Sequence, residues 1–575
     1  MKAATMTNTR RDIFKFAGGA VAGAFFTPAP WRLITDTALW SENWPGIPRP
    51  VRGEVTTRFT NCALCPAGCA VRARCIGPNP ISLAGVHGGL CPFGITAHHL
   101  PYHPARLKQG DPGTVAAELQ ARGHEGMAIL DLNPGRTASW THRRAMAVLK
   151  GTYIAAVDPL AYDLSGVKTV LTIGTPLLDG WGTPAKVLAA RTQFRHIHAE
   201  AMESRTAIMA DEWVALAPGT ERVYARQVLS ALRGEGASTA ARELLANGPS
   251  LAIGDMPEIA EINRLLGSWG RSVVARAEAP VPEAWKKQAA AITALQSVPD
   301  TSIHTLLIDE SAATSFIPWS RIVPKLAPGA LTVTFAATRG GYARHTQHVL
   351  PIAVFPEVLE DVGPAADSVR PAWRLSTPLA SPPTGVVSPA EFTGALAGVS
   401  ASNTLRERAG AIHQHALGTV INYASGEEKS LKSLSADDFW KIISEGGAWQ
   451  QPDAAIAPPP LPSSADATAT DSTTGMPLIA IAEAAAPAML SPVMTKLYQE
   501  SNLRLAPNRV ALHPEEARAA KLRDGMRAML ETRAGRCAVQ VTIDTAVPPG
   551  AVCIGSSQGI QDICAPSMGA RVVPA

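Results

Sequence analysis

The sequence carries little charge for its length, and the charge that it has is nearly balanced. Asp, Glu, Lys and Arg make up 17% of the 575 residues, and the formal net charge at pH 7 is only +4. No long basic run with interleaved aromatic residues occurs, so the composition argues against a nucleic-acid partner. Long apolar runs are also missing, and the longest, residues 16–26, is too short to cross a bilayer as a helix.

The N-terminal region has the pattern of a twin-arginine export signal. Arg10 and Arg11 are followed by Lys15 and by an apolar stretch rich in Gly and Ala, residues 16–26. This order is typical of bacterial export signals, and a basic N-terminus ahead of a buried helix is the alternative. We therefore expect residues 1–30 to be a signal peptide and the protein to be periplasmic.

Four of the eight cysteines have the spacing of an iron–sulfur ligand set. Cys62, Cys65 and Cys69 lie within one short loop, and Cys91 follows further along the chain. Four thiolates are what a 4Fe–4S cubane needs. A zinc site also uses four cysteines, but more often as two separated Cys-x2-Cys pairs, and an exported protein could instead form disulfides. The spacing favours the cluster over both alternatives.

The other four cysteines give no comparable signal. Cys75 is interpreted as a buried thiol outside the ligand set, and Cys537, Cys553 and Cys564 show no ligand spacing. No Cys-x-x-Cys-His sequence occurs, which argues against a covalently attached c-type haem.

Short apolar runs alternate with helical patterns from residue 107 to about residue 400, after the cysteine module of residues 50–106. The stretches 220–232 and 257–266 are predicted helices. Strands that alternate with helices indicate an α/β region with mostly parallel sheet. The clearest predicted strands are 127–132, Thr169–Ile173, Ser250–Ile253, 304–308 and 330–335.

The C-terminal third changes character twice. Residues 401–446 are predicted to be mainly helical. Residues 447–476 are rich in Pro, Ala, Ser and Thr and are predicted to be a linker, because such a segment cannot bury enough apolar surface to fold alone. From 477 to 575, strand patterns separated by Gly-containing turns indicate a small β-barrel.

Several motifs, in this order along the chain, resemble the molybdopterin oxidoreductase superfamily, which includes formate dehydrogenases and nitrate reductases. The cysteine module matches in number, order and position. Residues 210–220 resemble the family's Ala-Asp-x-Trp…Pro-Gly-Thr segment, and residues 349–357 resemble its Val-Leu-Pro…Glu segment. Residues 513–525 resemble its C-terminal double-psi barrel. The resemblance implies an α/β multidomain fold with an N-terminal 4Fe–4S module and a C-terminal double-psi β-barrel.

Three departures concern the residues that hold the family's cofactor. The family follows its fourth cysteine with a basic residue and Gly, whereas here Phe93 precedes Gly94. Its acidic-Pro-Arg element becomes residues 200–202, Glu-Ala-Met, which keep only the acid. The segment between the cysteines and residue 169 is too short for the insertion that supplies the molybdenum ligand, and Ser139 and Ser165 are interpreted as ordinary loop residues. Because buried charge needs compensation, these losses imply a weakened site for the anionic pterin.

The shortened pattern resembles the molybdopterin-like subunits of alternative complex III and of menaquinone reductase complexes. That resemblance implies an electron-transfer or scaffold subunit of a membrane quinone-linked complex. Its implied partners are a further iron–sulfur subunit, a multihaem cytochrome c and an integral membrane subunit with a quinone site. The implied cluster ligands are Cys62, Cys65, Cys69 and Cys91.

Two other functions stay open on the sequence. In the first, the chain is a catalytic molybdenum or tungsten enzyme that binds molybdopterin guanine dinucleotide. In the second, it is a non-redox structural protein with zinc or disulfides in the cysteine module. For the catalytic alternative, the resemblance implies that the cofactor is held by Glu200, Thr206, Asp211, His513 and Glu516.

Overall fold

The structure is a computed structural model that describes residues 10–26, 53–86, 89–103, 105–178, 181–311, 317–415, 417–459, 476–480, 508–554 and 569–575. The chain divides into two units, residues 1–55 and residues 56–575. In the first unit, residues 10–26 form helix α1. Within the described ranges, no helix combines the length and the apolar character that a membrane span requires.

The helices are named in chain order. They are α1 (Arg10–Phe26), α2 (Pro92–Thr96), α3 (Pro112–Arg122), α4 (Thr137–Leu149), α5 (Pro184–Arg191), α6 (Arg205–Met209), α7 (Glu221–Leu232), α8 (Thr239–Ala246), α9 (Pro257–Leu265), α10 (Glu283–Gln288), α11 (Trp319–Ile322), α12 (Pro389–Ala397), α13 (Thr404–His415), α14 (Ala436–Ser444) and α15 (Pro514–Ala519).

The strands are named in the same way. They are β1 (Val55–Asn61), β2 (Ala70–Ile76), β3 (Asn79–Gly85), β4 (Met127–Asp131), β5 (Thr152–Ala155), β6 (Leu160–Tyr162), β7 (Thr169–Ile173), β8 (Arg195–Glu200), β9 (Glu212–Ala215), β10 (Ser250–Ile253), β11 (Val273–Ala275), β12 (Ile292–Thr293), β13 (Ile303–Asp309), β14 (Leu326–Ala336), β15 (His348–Pro351), β16 (Glu360–Asp361), β17 (Ala372–Ser376), β18 (Thr419–Asn422), β19 (Glu427–Ser430), β20 (Ala448–Gln450), β21 (Met476–Ala480), β22 (Arg509–Leu512), β23 (Arg527–Thr532), β24 (Gly535–Ile543), β25 (Val552–Ile554) and β26 (Gly569–Pro574).

The cysteine module is a three-stranded sheet in the order β1-β2-β3, with a tight loop between β1 and β2. Strands β2 and β3 are antiparallel, and their inward side chains pack with the first three predicted ligands in one apolar cluster. Helix α2 begins directly after Cys91, where Pro92 occupies the first helical position. Proline is favoured there because its fixed φ angle suits a helix start and its missing N–H would have no partner. Three predicted ligands therefore lie in the loop between β1 and β2, and the fourth lies directly before α2.

The largest sheet has six strands in the order β12-β5-β4-β13-β14-β15, and all of its pairings are parallel. Helices cover it, so β4 is buried at all five of its residues. Strands that are buried on both faces read as continuous apolar runs, which is why the sequence predicts them well. A second parallel sheet has the order β10-β7-β8-β9.

An antiparallel sheet of five strands, in the order β16-β17-β20-β18-β19, adjoins these layers. Two parts of this sheet lie in segments for which the sequence predicts other structure. The hairpin of β18 and β19 lies inside the region predicted to be mainly helical, and Gly426 at φ +73° makes its turn. Strand β20 lies inside the predicted linker, and its central residue, Trp449, is fully buried. Residues 460–475 of that linker lie outside the described residues.

The C-terminal strands close into a six-stranded barrel in the order β21-β25-β22-β24-β23-β26. Pairing between β21 and β26 completes the ring. The barrel has its own core of Val, Leu and Ala side chains, and α15 packs on it through Ala517. Sequence signals for β23 and β24 are thus confirmed, as are those for β4, β7, β10, β13, β14, α7 and α9.

We expect Trp449→Ala to destabilise the protein strongly. The indole is opposite Trp373 in the antiparallel register, and its Nε1 donates to the Leu417 carbonyl at 3.0 Å. Truncation removes a large buried side chain and leaves that carbonyl without its donor, a loss of about 3–5 kcal/mol. The midpoint of thermal unfolding should fall, whereas Trp213→Ala, at a side chain that is 36% exposed, should change it little. Equal effects of the two variants would contradict this account of the sheet.

Candidate functional site

The loop with the first three predicted ligands is closed by backbone hydrogen bonds. Cys62 N donates to Cys69 O at 2.9 Å, and Gly68 N donates to Cys65 O at 3.3 Å. Gly68 has φ +54°, a conformation that glycine adopts without strain. Cys62 and Cys69 are buried, Cys65 and Cys91 are half-buried, and all four carry free thiols.

The four thiols influence one another electrostatically. Burial raises the pKa of Cys65 to about 11, with repulsion from Cys91 adding to it. Burial, with repulsion from Cys65 and Cys91, raises the pKa of Cys69 to about 12. The pKa of Cys62 is also raised, first by burial and then by Cys65. Such a set of sulfurs needs a nearby positive centre before it can ionise, which an iron–sulfur core would supply.

Ligation itself stays a prediction. The described residues contain no group of three or more His, Cys, Asp or Glu side chains arranged to hold a metal ion. What the described side chains offer is the donor chemistry of a cluster: four buried or half-buried thiols, three on one loop and the fourth directly before a helix.

A cavity of about 1610 Å³ separates this loop from the six-stranded sheet. Cys65 and Ala67 line one side, and the turn at residues 133–135 lines the other. Aromatic side chains form part of the apolar wall of the cavity. The charged side chains of its lining are of both signs, namely Arg143, Arg276, Arg321 and Lys325 with Asp158, Glu278 and Asp300. The cavity is therefore not strongly basic.

Buried salt bridges fill the adjoining edge of the six-stranded sheet. Strands β4 and β13 are parallel neighbours that end at Asp131 and Asp309, and both carboxylates are fully buried. Arg136, at the start of α4, lies between them. Its Nη2 is 3.1 Å from Asp309 Oδ2 and 3.8 Å from Asp131 Oδ1, and its Nη1 is 2.8 Å from Glu360 Oε2. In open parallel sheets, ligands bind at this carboxyl edge, next to the strand pair at which the strand order reverses.

The network continues through Asp361 on β16. Its carboxylate accepts hydrogen bonds from Thr137 N at 2.7 Å, Arg408 Nη1 at 2.7 Å and Trp373 Nε1 at 2.9 Å. His142 Nε2 lies 3.1 Å from Asp309. We call Asp131, Asp309, Glu360, Asp361, Arg136, Arg408 and His142 the switch-point network.

The switch-point network has more acidic groups than permanently charged cations. Burial raises the pKa of Glu360 to about 7, although Arg136 acts in the opposite direction. At Asp309 burial acts to raise the pKa, but Arg136, His142 and Ser311 together outweigh it, so the pKa of that carboxyl is lowered. The guanidinium groups of Arg136 and Arg408 are thus already paired with the protein's own carboxylates. An anionic ligand at this edge would need the same guanidinium groups as partners.

Three of the residues predicted to hold pterin lie together around β8 and are bonded within the protein. Glu200 accepts from His198 Nε2 at 2.8 Å and from Ser204 Oγ at 2.6 Å. Thr206 Oγ1 accepts from Leu178 N at 3.1 Å. Asp211 accepts from His196 N at 2.7 Å and pairs with Arg191 at 3.1 Å.

The other two predicted pterin residues lie at the barrel end of the chain. His513 caps α15, where its Nδ1 accepts from Glu515 N at 3.4 Å. Glu516 Oε1 accepts from Gly550 N at 3.0 Å. The barrel contacts the region after β8 where Cys553 Sγ and Met202 Sδ are 3.5 Å apart. The structure therefore brings the two predicted groups to neighbouring elements.

Comparisons with known proteins confirm the resemblance to molybdopterin oxidoreductases. Residues 493–567 match the family described as the molydopterin dinucleotide binding domain. The fold is similar to that of acetylene hydratase from Pelobacter acetylenicus, with a TM-score of 0.60 and 13% identity, over 90% of this chain and 100% of that chain.

Among curated proteins, the chain is similar to the menaquinone reductase molybdopterin-binding-like subunit of Nitratidesulfovibrio vulgaris. The two are 27% identical over 302 residues, which are 44% of this chain and 44% of the relative. The chain thus matches less than half of that relative's length.

Sequence reasoning misses the switch-point network and misplaces one residue. Ser139 is not in a loop: it lies on α4 and is buried, because the short segment forms a helix against the sheet. Ser165 is in a loop, where it bonds Asp163. An acidic residue at the end of a buried apolar run, as at Asp131 and Asp309, is the one signal that could have pointed to the network.

We expect Arg136→Met to destabilise the protein by about 3–5 kcal/mol, because it leaves buried carboxylates without their partner. Arg122→Met is the matched control: its pair with Glu118 is solvent-exposed at 3.7 Å, and such pairs contribute less than about 1 kcal/mol. Urea unfolding followed by circular dichroism measures the difference. Similar losses for both variants would contradict the importance of the network.

Glu310 should make stability depend on pH. Burial raises its pKa from 4.5 to about 8, so the folded protein keeps a proton that the unfolded chain releases. Because the folded state binds more protons over this interval, stability should fall as pH rises from about 4.5 to about 8. Glu310→Gln should reduce that dependence of the urea midpoint, whereas Glu428→Gln, on an exposed strand, should not. An unchanged slope in Glu310→Gln would refute the assignment.

Proposed function

We propose that this chain is an exported iron–sulfur electron-transfer and scaffold subunit of a membrane quinone-linked oxidoreductase complex, and that its molybdenum site is lost. The observation that carries the proposal is the switch-point network, in which Arg136 and Arg408 pair with buried carboxylates of the chain itself. A bis-pterin cofactor is strongly anionic, and burying it beside Asp131 and Asp309 would add repulsion where compensation is required.

Electron transfer is proposed to depend on Cys62, Cys65, Cys69 and Cys91 as ligands of one 4Fe–4S cluster. When bound, such a cluster takes up and releases one electron at a potential that its surroundings set. The chain's part is to hold three sulfurs on the β1–β2 loop and the fourth directly before α2, to bury them at least partly, and to limit access of water to them.

The partners and location follow from the resemblance and from the relative's name. We propose that the chain assembles with an iron–sulfur subunit, a multihaem cytochrome c and an integral membrane subunit that holds the quinone site. Export by the twin-arginine route, directed by residues 1–30, would place it on the periplasmic side of the membrane. The division into a cluster domain (50–106), α/β domains (107–400) and a double-psi barrel (477–575) belongs to this proposal.

A catalytic molybdenum or tungsten enzyme is the second candidate, and the match of residues 493–567 to a dinucleotide-binding family favours it. In that case Glu200, Thr206 and Asp211 would have to exchange their present hydrogen bonds for bonds to the cofactor, together with His513 and Glu516.

Metal and pterin analysis of the native protein tests the proposal against this candidate. We expect about four irons per chain, visible absorption that bleaches on reduction, and neither molybdenum nor tungsten. About one molybdenum or tungsten per chain with extractable pterin would establish the catalytic candidate instead, and zinc in place of iron would refute both.

The ligand assignment is tested by Cys65→Ser, with Cys75→Ser as the matched control. Both cysteines lie in the same module, but Cys75 is fully buried on β2 outside the ligand set. We expect the first variant to lose most of its iron and its folded yield, because metal binding at such sites is coupled to folding. The second should keep its iron. Full iron content in Cys65→Ser would contradict the assignment.

A further inference from the structure

Arg374 extends from the five-stranded sheet onto the cysteine loop. On β17, Trp373 and Leu375 point into the core and are buried, and because strand side chains alternate, Arg374 points to the opposite face. There its Nη1 donates to the Ala67 carbonyl at 3.3 Å. Ala67 lies between two of the predicted ligands, so the guanidinium is anchored inside the ligand loop.

The turn at Gly68 is shaped to receive this side chain. A Cβ built on Gly68 would lie 3.4 Å from Arg374 Nη1 and 3.2 Å from Val362 Cγ1. The loop backbone at Gly68 therefore packs against the Arg374 guanidinium and against Val362, the residue that follows β16. Val362 N also donates to the Arg374 carbonyl at 3.2 Å, which fixes the strand beneath the loop.

Arg374 is anchored between two predicted ligands and is held in place by a second side chain. The Ala67 carbonyl that it binds is two residues from both Cys65 and Cys69. Tyr423, at the turn after β18, hydrogen-bonds Arg374, and burial raises the pKa of its hydroxyl. The guanidinium thus has the Ala67 carbonyl and the Tyr423 phenol as hydrogen-bond partners, and it lies against the loop that carries Cys65 and Cys69.

We propose that Arg374 is a positioning residue that sets the reduction potential of the cluster at Cys62, Cys65, Cys69 and Cys91. This inference rests on the proposed function. Reduction adds one electron to the cluster with no bond made or broken, so the reduced form carries one more negative charge. A fixed cation beside a ligand stabilises that form more than the oxidised form and raises the potential.

The test is a redox titration of the full-length protein, purified anaerobically with its cluster and followed by the electron paramagnetic signal of the reduced form. Arg374→Gln should change the ratio of reduced to oxidised cluster at a given potential about tenfold toward the oxidised form. For a one-electron couple, this is a shift of about 59 mV to lower potential. Arg374→Lys, which keeps the charge, should retain most of the wild-type value.

Two further variants separate this role from structural effects. Arg72→Gln removes one positive charge from the exposed face of β2 in the same module and should shift the ratio less than twofold. Tyr423→Phe leaves Arg374 in the chain but removes its hydrogen bond, and should shift the potential in the same direction by a smaller amount. This variant keeps the test available if Arg374→Gln does not fold.

The outcomes separate the role of Arg374 from the proposed iron–sulfur function on which it rests. A wild-type protein with about four irons whose potential is unchanged in Arg374→Gln and in Tyr423→Phe would overturn the role of Arg374 alone. An equal shift in Arg72→Gln would do the same, because it would show an effect of net charge only. A wild-type protein without iron would overturn both proposals together.

Discussion

Arg136 joins three carboxylates from separate parts of the chain, and the centre of the molecule is arranged around that contact. Asp131 ends β4, Asp309 ends β13 and Glu360 begins β16, so one guanidinium ties the largest sheet to the antiparallel one. Like charges this close in a buried site would repel one another by several kcal/mol without the cation. The strands can end side by side because the arginine lies between them.

The carboxyl edge of the six-stranded sheet therefore has a different role in this protein. In open parallel sheets, the carboxyl edge next to the reversal of strand order supplies hydrogen-bond donors to a bound molecule. Here the donors of Arg136 and Arg408 are directed at the chain's own acids. The interior is held together by ion pairs in the place where related folds bind a ligand, and the neighbouring cavity is left with a lining of mixed charge.

How much the sequence predicts depends on how local each feature is. The parallel strands were predictable because burial on both faces produces continuous apolar runs, as in β4 and β7. The cysteine set stands out as a motif because its first three members share one loop, and its role as a ligand set stays a prediction. Strand β20 was not predictable, because it has only three residues and adjoins a Pro-rich stretch.

The switch-point network could not be predicted from the sequence, because it is not a local feature. It is assembled from β4, α4, β13, β16 and α13, and no periodicity states which arginine meets which acid. Arg374 is a similar case, since its contact with Ala67 joins residues 307 positions apart. Sequence motifs thus indicated where chemistry could occur, while the compensation of buried charge emerged only from the tertiary fold.

The ribbon of β16 and β17 forms a common wall between the cysteine loop and the switch-point network. Asp361 faces Arg408, while the next residue, Val362, rests on the turn at Gly68. A slip of one residue along this ribbon would put the valine opposite the arginine and withdraw its methyl groups from the turn. Insertions and deletions should therefore not be tolerated within β16 or β17 themselves, so the two regions that the ribbon separates are constrained to change together.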